Sequence, residues 1–409
     1  MASLFPREAQ LHLPARSSSH RLQKRVAVKA VKMSFEEVVN DIETETGVRM
    51  GKGQVEQIIS GAAQDFDALY VQPCSEEVQQ QAHVKPIQVL TFDGKGVVMR
   101  PEALREATRK KAEACAQQPR RGFARREQAN RKRMATVAGI SHIDRQMRCP
   151  QTVARQCAPL RLVPHRRNPA PKPVGKKRWA SLEKPMKTVI ETGVAEGLRR
   201  DPEHQAEWVV LVDGDPTQIA SIEQAVHASG VTVVMMVDLI HALEYLGKAA
   251  KALFDPDDPK EAQWVGEKIE QLLQGQAKSI VRNLRHSAIS KGMSSKQREP
   301  IDQCATYLAN HVPYLNYPAS LAKGYPIATG VIEGACRHLV KDRMEITGAR
   351  WGLEGGEAVL KLRALDSNGD FDAYWDFHEH QEYQCNHQAQ FSQMAQARAP
   401  LQLVSGGRP

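Results

Sequence analysis

The chain has few aromatic residues and no long apolar run. Phe, Trp and Tyr make up 5% of the 409 residues, which argues against a carbohydrate-binding or base-stacking surface. The most apolar stretch, residues 231–246, is interrupted by three acidic or histidine side chains, so the sequence predicts no membrane-spanning helix. The first 15 residues lack the apolar segment of a secretory signal. We therefore expect a cytoplasmic protein.

Several well-known chemical motifs are also missing. The seven cysteines are odd in number and form no Cys-x-x-Cys pair, which disfavours a disulfide framework and a cysteine zinc ribbon. There is no Walker motif for nucleotide phosphates and no Gly-x-Ser-x-Gly elbow of a serine hydrolase. Any enzyme chemistry must therefore come from other residues.

What the chain has in excess is positive charge. Fifty-six Lys and Arg against 47 Asp and Glu give a net charge of +9, which favours a polyanionic partner, nucleic acid first and an acidic membrane second. Residues 105–133 carry eleven Lys and Arg against three acids, and residues 151–178 carry eight and no acid. The second stretch is rich in proline and is interpreted as an extended linker or loop.

Residues 20–70 have the pattern of three short helices. Ser34 and Glu37 form a capping box, and apolar residues follow at helical spacing. The spacing recurs after residues 51–53, so two capped amphipathic helices are joined by a short glycine-containing turn. This arrangement suits a DNA-binding helix-turn-helix, although an ordinary helical hairpin that only packs on the core has the same pattern.

The pattern changes to alternating strands and helices from residue 86. The order is β-β-β-α-β-α-β followed by a helical stretch, which is the order of an RNase H-like fold with a helical insertion before its last helix. The expected elements are strands at 86–93, 97–100 (after a turn at 94–96), 134–140, 208–213 and 231–238, and helices at 182–200, 216–229 and near 329.

We therefore expect an α/β RNase H-like core, built on a mixed five-stranded sheet flanked by helices. The expected regions are an N-terminal helical DNA-binding region (1–85), the first part of the core (86–240, with basic loops 105–133 and 148–178), a helical insertion (241–325), the final core helix with a C-terminal helix (326–365), and a tail (366–409).

Two of the predicted strands end in an aspartate that precedes a glycine. These are Asp93 and Asp213, and the first and fourth strands of this fold order are parallel neighbours. Since functional groups collect beyond the carboxyl ends of such strands, the two side chains should project side by side. Asp215 is a competitor for Asp213, and a strand-end Asp-Gly pair is most often only a turn.

A third carboxylate would complete a site for two Mg²⁺ ions. Glu333 is the candidate, on a helix that Thr329 can cap, with Arg337 and Lys341 on the same helical face for DNA phosphates. A routine surface ion pair between Glu333 and Arg337 is the alternative.

Asp238 and His241 follow the fifth strand at a spacing that places both on one side of the next helix. There they could assist at the carboxylate site. The alternative is structural, with Asp238 as a helix cap and His241 as a core residue.

The sequence resembles insertion-sequence transposases of the ISKra type, within the Asp-Asp-Glu recombinase superfamily. The matching strings are LTFDGKGVVMR, NRKRMATVAG, WASLEKP, RRDPEHQAEWVVLVDGDPTQ, VDLIHALEYLGKAA and, most specifically, residues 322–365. The likeness runs from about residue 18 to residue 387 and implies an RNase H-like core with Asp93, Asp213 and Glu333 as a metal-binding triad. It also places Asp238 and His241 in the Asp-x-x-His signature of Mutator-like relatives.

The resemblance implies a Mg²⁺-dependent DNA transposase, in which Mn²⁺ can substitute. Water and then a DNA 3′-hydroxyl would attack a phosphodiester bond, with Arg337, Lys341 and Arg343 as phosphate contacts. The expected partners are the element's terminal inverted repeats and target DNA, bound by a homo-oligomer, a dimer on DNA, in the nucleoid. Family members usually have a longer N-terminal region, so a catalytically silent DNA-binding repressor is one alternative, and an RNase H-like nuclease without strand transfer is another.

Overall fold

The computed structural model describes residues 18–71, 86–116, 131–157 and 171–388, except residues 329 and 347. The strands are β1 (Ile87–Val98), β2 (Lys132–Ile143), β3 (Val174–Ser181), β4 (Glu207–Val212) and β5 (Val233–Val237). The helices are α1 (His20–Ala30), α2 (Phe35–Thr46), α3 (Lys52–Ala62), α4 (Phe66–Val71), α5 (Glu106–Ala116), α6 (Pro150–Cys157), α7 (Met186–Arg200), α8 (Pro216–Ala228), α9 (Leu239–Leu253), α10 (Pro259–Leu273), α11 (Ala277–Ser290), α12 (Ser295–Asn310), α13 (Tyr317–Lys323), α14 (Gly330–Ala335), α15 (Leu353–Asn368) and α16 (Phe371–Tyr383), with a π-helical turn at Cys336–Lys341.

The chain forms two compact units. Among the described residues, the sheet unit contains 86–97, 133–157 and 171–341, and the terminal unit contains 18–71, 98–116, 131–132 and 342–388. The sequence analysis divided the chain near residues 85, 240, 325 and 365. In the structure, residues 18–71 and 342–388 belong to the same unit.

The sheet unit is built on one five-stranded mixed sheet. The strand order is β3-β2-β1-β4-β5, with β2 and β3 antiparallel and with β4 parallel to both β1 and β5. Five of the six β4 residues are buried, as expected for a central parallel strand. The predicted mixed five-stranded sheet flanked by helices is confirmed, including the parallel pairing of the first and fourth strands.

The predicted turn at residues 94–96 is wrong. β1 runs without interruption from Ile87 to Val98, so residues 97–100 are not a separate returning strand. Neither Gly94 nor Gly96 has a positive φ, which the tight two-residue hairpin turns require. The backbone therefore stays extended through both glycines.

The prediction of a basic loop over residues 148–178 is wrong at both ends. Residues 150–157 form α6, and residues 174–181 form β3, which pairs antiparallel with β2 from Val137–Ala180 to Ile140–Lys177. Residues 158–170 lie outside the described part of the chain. In the other basic stretch, residues 106–116 form α5 and residues 117–130 lie outside that part.

The terminal unit confirms the helices that were predicted near the N-terminus. Ser34 accepts a hydrogen bond from the Glu37 amide (3.3 Å), and the Glu37 carboxylate accepts one from the Ser34 amide (2.7 Å), so the predicted capping box is present. α1, α2 and α3 pack on one another and α3 packs on α15. The Tyr374 hydroxyl donates to the Ala62 carbonyl (2.6 Å), which ties α16 to the end of α3.

Two glycines let α7 lie close against the sheet. A Cβ atom at Gly197 would lie 2.6 Å from Cζ3 of Trp208 and 2.9 Å from Nε2 of Gln88. A Cβ atom at Gly193 would lie 2.8 Å from the ring of Phe92. Since these distances are too short for real contacts, the helix approaches the sheet only because both side chains are absent.

We expect Gly197→Ala to lower the free energy of unfolding by about 1–3 kcal/mol, because the added methyl group overpacks the helix against the Trp208 ring. Gly247→Ala is the matched control, since Gly247 also lies within a helix but has open space around its Cβ position. That change should be neutral or stabilise by up to roughly 1 kcal/mol through helix propensity. Urea unfolding of both variants checks this, and equal stabilities would show that α7 is not closely packed.

Candidate functional site

The structure brings Asp93 and Asp213 to one edge of the sheet. The last paired residues of the parallel strands β1 and β4 are Thr91 and Leu211, and each aspartate comes two residues later. The side chain of Phe92 points toward α7. Because successive side chains of a strand point to opposite faces of the sheet, the Asp93 side chain projects from the other face. Both carboxylates are partly exposed. This arrangement is the one that was predicted from the two strand ends.

The two carboxylates act on each other electrostatically. Burial raises the pKa of Asp213 above its ordinary value, and the negative charge of Asp93 raises it further. Two other interactions lower the pKa of Asp213. The backbone amide of Asp215 donates a hydrogen bond to Asp213 Oδ1 (2.8 Å), and a positive charge on nearby His241 would favour the ionised carboxylate. The site is therefore a pair of like charges held close together, which a cation would stabilise.

Cys336 connects Asp93 to the segment that carries Glu333. Its buried thiol donates to Asp93 Oδ2 at 3.0 Å, and the charge of Glu333 acts on the same thiol. Burial, and then the charge of Asp93, raises the pKa of Cys336, so the group stays a neutral donor. Glu333 itself is exposed on α14. Cys336 was not among the predicted site residues, because no local sequence signal indicates its contact with Asp93.

The segment that carries Glu333 has the predicted polar face. Ile332, Ala335, Cys336 and Leu339 are buried, whereas Glu333, Arg337 and Lys341 are exposed. A π-helical turn at Cys336–Lys341 follows α14 directly, and such turns are frequent at functional sites. The predicted cap residue, Thr329, lies outside the described residues.

Asp238 lies at the same sheet edge and caps a helix. It directly follows Val237, which pairs with Val212, and its side chain accepts a hydrogen bond from the Ile240 amide at 2.9 Å. The structural role proposed for Asp238 is therefore present. His241 is partly buried and close enough to influence Asp213 electrostatically.

Asp215 also caps a helix. Its carboxylate accepts hydrogen bonds from the amides of Thr217 (2.7 Å) and Gln218 (3.0 Å) at the start of α8. These bonds orient the Asp215 side chain toward the helix. Asp213, whose pKa responds to Asp93, is thus the better partner for Asp93.

Arg343, the third predicted phosphate contact, belongs to the terminal unit and is 2% exposed. Its guanidinium carbon lies 5.0 Å from the ring centre of Phe35 and 4.9 Å from that of Trp351. Its Nε donates to the Ala30 carbonyl at 2.9 Å. Burial, together with the charge of Arg363, lowers the pKa of Arg343 to about 10. These contacts give Arg343 a packing role in the terminal unit.

The sequence analysis did not identify three residues that contact the carboxyl ends of β4 and β5. The hydroxyl of Tyr307 donates to the Asp213 carbonyl (2.7 Å), and that of Tyr317 donates to the Val237 carbonyl (3.0 Å). A ring nitrogen of His311 lies 2.8 Å from the Gly214 carbonyl. All three lie about 70 to 100 residues beyond their partners, so no sequence motif links them.

The chemistry of these residues fits a hard divalent cation in part. Asp93 and Asp213 offer carboxylate oxygens, the ligands that Mg²⁺ prefers, on adjacent strands. In the described part of the chain, however, no three His, Cys, Asp or Glu side chains are close enough together to hold a metal ion. Glu333 is close enough to interact electrostatically with Cys336, which itself contacts Asp93. The Glu333 carboxylate does not, however, complete a set of three ligands with Asp93 and Asp213.

The comparisons with known proteins add no family to this geometry. No protein-family model and no curated protein matches the chain. Within the residues that the structure describes, none of the helices combines the length and apolar character needed to cross a membrane.

Proposed function

We propose that the protein is a Mg²⁺-dependent DNA transposase of the ISKra type with an RNase H-like core. The observation that carries the proposal is the placement of Asp93 and Asp213 at the ends of neighbouring parallel strands, beside the helix of Glu333. The strand order β3-β2-β1-β4-β5, with β2 and β3 antiparallel and β1, β4 and β5 parallel, supports this core. The helices α9 to α13 would be its insertion.

Each residue of the site has a role in this proposal. Asp93 and Asp213 would hold the metal ions, and Glu333 would complete the ligand set from α14. When bound, Mg²⁺ would stabilise the charge that develops on the scissile phosphate. Arg337 and Lys341 are exposed beyond Glu333 and would bind neighbouring phosphates of the DNA backbone. Water would first hydrolyse the phosphodiester bond at the element end, which leaves a 3′-hydroxyl and a 5′-phosphate. The 3′-hydroxyl would then attack a target phosphodiester, forming a new bond to its phosphorus and displacing the 3′-hydroxyl of the target strand.

The terminal unit contains a cleft beside α3. This cleft of about 1190 Å³ is lined by the exposed N-terminal half of α3, including Lys52, Gln54 and Gln57, by Arg100 and Arg350, and by the acidic side chains of Glu36, Glu56 and Glu354. The other face of α3 is buried, with Val55, Ile58 and Ile59 in the core. In this proposal α3 would act as the second helix of a helix-turn-helix, whose N-terminal half contacts base edges. We propose this cleft as the site for the element ends.

Lys52→Ala should weaken binding to element-end DNA and reduce the slope of log affinity against log salt by about 1, because one phosphate contact is lost. Fluorescence anisotropy over a salt series measures both quantities. Lys24→Ala is the control: Lys24 lies on α1, outside the cleft lining, and pairs with Asp372 at 2.8 Å, as Lys52 pairs with Glu36 at 2.9 Å. Equal slopes for the two variants would place the DNA elsewhere.

Point substitutions test DNA binding by this unit better than a truncation that removes the N-terminal helices. Arg343 donates to Ala30, Tyr374 donates to Ala62, and His378 Nδ1 lies 2.6 Å from Asp65 Oδ2. A chain without α1 to α4 would lose these contacts and expose the buried faces of α15 and α16. Loss of DNA binding would then report unfolding.

The identity of the element can be tested without the protein. If the chain is encoded by an insertion sequence, short terminal inverted repeats should flank its reading frame. The same repeats should then be the DNA that the purified chain binds in preference to a scrambled duplex of equal length and composition.

A further inference from the structure

The helices between β5 and α14 contact the sheet at the point where the candidate carboxylates lie. Tyr307 and His311, near the end of α12, both reach the turn after β4. This turn contains Asp213 and Gly214. Tyr307 on α12 and His311, directly after the last residue of α12, thus meet two consecutive carbonyl groups of the segment that carries the candidate ligand.

Tyr307 is held rigidly where it makes this contact. Its side chain is buried, and its ring stacks on Tyr245 of α9 with ring centres 4.0 Å apart and planes inclined by 14°. Its hydroxyl donates to the carbonyl oxygen of Asp213 itself, at 2.7 Å. A hydrogen bond from a buried, stacked ring fixes the backbone from which the Asp213 side chain projects.

His311 makes the second contact of the pair. Its ring is buried, and both ring nitrogens face carbonyl oxygens: Nε2 lies 2.8 Å from that of Gly214, and Nδ1 lies 2.7 Å from that of Tyr307. Nε2 donates to the Gly214 carbonyl when it carries a proton. The turn is shaped to receive both rings. Gly214 has φ of 97°, and a Cβ atom there would lie 2.9 Å from Tyr307 Cε2 and 3.0 Å from His311 Nε2. A side chain at this position would therefore exclude the two rings.

We propose that Tyr307 and His311 are positioning residues that hold the Asp213–Gly214 turn, so that the Asp213 carboxylate faces Asp93 in the geometry a divalent cation requires. The proposal rests on the proposed function for its metal. It gives the helices between β5 and α14 a task at the catalytic site that nothing in their own sequence indicates.

The test compares two variants, each of which loses one tyrosine hydroxyl. Tyr307→Phe keeps the stacked ring and removes the donor to Asp213, whereas Tyr317→Phe removes the donor to Val237, at the end of the neighbouring strand. The full-length variants are titrated with Mn²⁺ alone, followed by electron paramagnetic resonance. Hydrogen exchange of the 213–218 segment and the melting temperature are measured on the same samples.

Tyr307→Phe should weaken Mn²⁺ binding by about 10-fold or more, the usual effect of losing an outer partner of a metal ligand, and should speed exchange in the 213–218 segment. Tyr317→Phe should change neither, even where it lowers the melting temperature. His311→Gln keeps a donor and should bind Mn²⁺ more tightly than His311→Leu, which gives a second test if Tyr307→Phe folds poorly.

Three other outcomes distinguish failure of the positioning role from failure of the proposed metal site. If Asp213→Asn abolishes Mn²⁺ binding while Tyr307→Phe matches Tyr317→Phe, the positioning role is wrong and the metal site stands. If the wild-type chain binds no Mn²⁺, the proposed function fails, and the exchange data decide on the turn. Unchanged exchange of residues 213–218 in Tyr307→Phe overturns the proposal in either case.

Discussion

Asp213→Asn should reduce Mg²⁺-dependent DNA cleavage by a factor on the order of 10³ or more, while leaving DNA binding within a few-fold of wild type. The amide preserves the shape of the side chain, and its oxygen can still accept from the Asp215 amide. What is lost is the negative charge that holds a hard cation. Metal stabilisation of a phosphoryl-transfer transition state is worth several kcal/mol, and each 1.4 kcal/mol is about a factor of ten in rate.

Asp93→Asn and Glu333→Gln should have effects of the same order, because each removes one proposed ligand. Cleavage is measured with a labelled element-end duplex in Mg²⁺ and again in Mn²⁺.

Asp215→Asn is the matched control for this series. Asp215 lies in the same turn and is exposed, but its carboxylate caps α8. Asparagine is an equally good N-cap, so the substitution removes a charge without removing the cap. The variant should cleave within a few-fold of wild type. If it is as inactive as Asp213→Asn, the assignment of the second ligand is wrong.

The second large effect that we expect is on stability. Glu196 is 6% exposed and accepts hydrogen bonds from Lys177 Nζ (3.0 Å), Arg199 (2.6 Å) and Arg200 Nε (2.7 Å). Glu196→Gln would leave the buried Lys177 and Arg200 without their counter-charge. Breaking a buried ion pair in this way costs about 3–5 kcal/mol, which for a unit of this size lowers the melting temperature by roughly 10 °C.

Glu191→Gln provides the comparison on the same helix. Glu191 is exposed and pairs with Lys187 at a distance of 3.9 Å, so its loss should cost less than about 0.5 kcal/mol. Denaturant unfolding of both variants measures the difference. A Glu196→Gln variant as stable as Glu191→Gln would show that the buried cations find other partners.

The same cluster predicts a dependence on pH. Burial alone would raise the pKa of Glu196, but the charges of Lys177 and Arg200 outweigh it, so the pKa is lowered below the ordinary value near 4.5. A depressed carboxylate pKa stabilises the folded state above the ordinary value. This contribution should therefore be present at neutral pH and be lost as the pH falls through the lowered pKa.

The sequence was informative where the structure depends on local pattern. The apolar runs of β1, β2, β4 and β5 and the helices α7 and α8 were predicted near their observed positions. β3 was missed because residues 174–181 contain three consecutive basic residues, which resemble a solvated loop. Lys177 is tolerated in that strand because Glu196, 19 residues later on α7, neutralises it, and no local pattern contains that pairing.

At the candidate site, too, the features that depend on local pattern were predicted and those that depend on distant contacts were not. The strand-end aspartates were predicted as neighbours because adjacent parallel strands end at one edge, and the register confirms this. Arg343 was predicted as a phosphate contact together with Arg337 and Lys341. Its guanidinium is instead enclosed by Phe35 and Trp351, and only the packing of distant segments reveals this. The contacts of Cys336, Tyr307 and His311 were beyond sequence reasoning for the same reason.

The most direct test of the central claim is cleavage by the wild-type chain. The purified protein is incubated in Mg²⁺ with a duplex that carries the DNA flanking its own reading frame, together with a target plasmid, and the products are sequenced at nucleotide resolution. The account predicts breaks at the repeat ends that leave 3′-hydroxyl groups, followed by their joining to the plasmid. Specific binding with no strand breakage, in Mg²⁺ and in Mn²⁺, would contradict it and identify a DNA-binding repressor; breakage without joining would identify a nuclease.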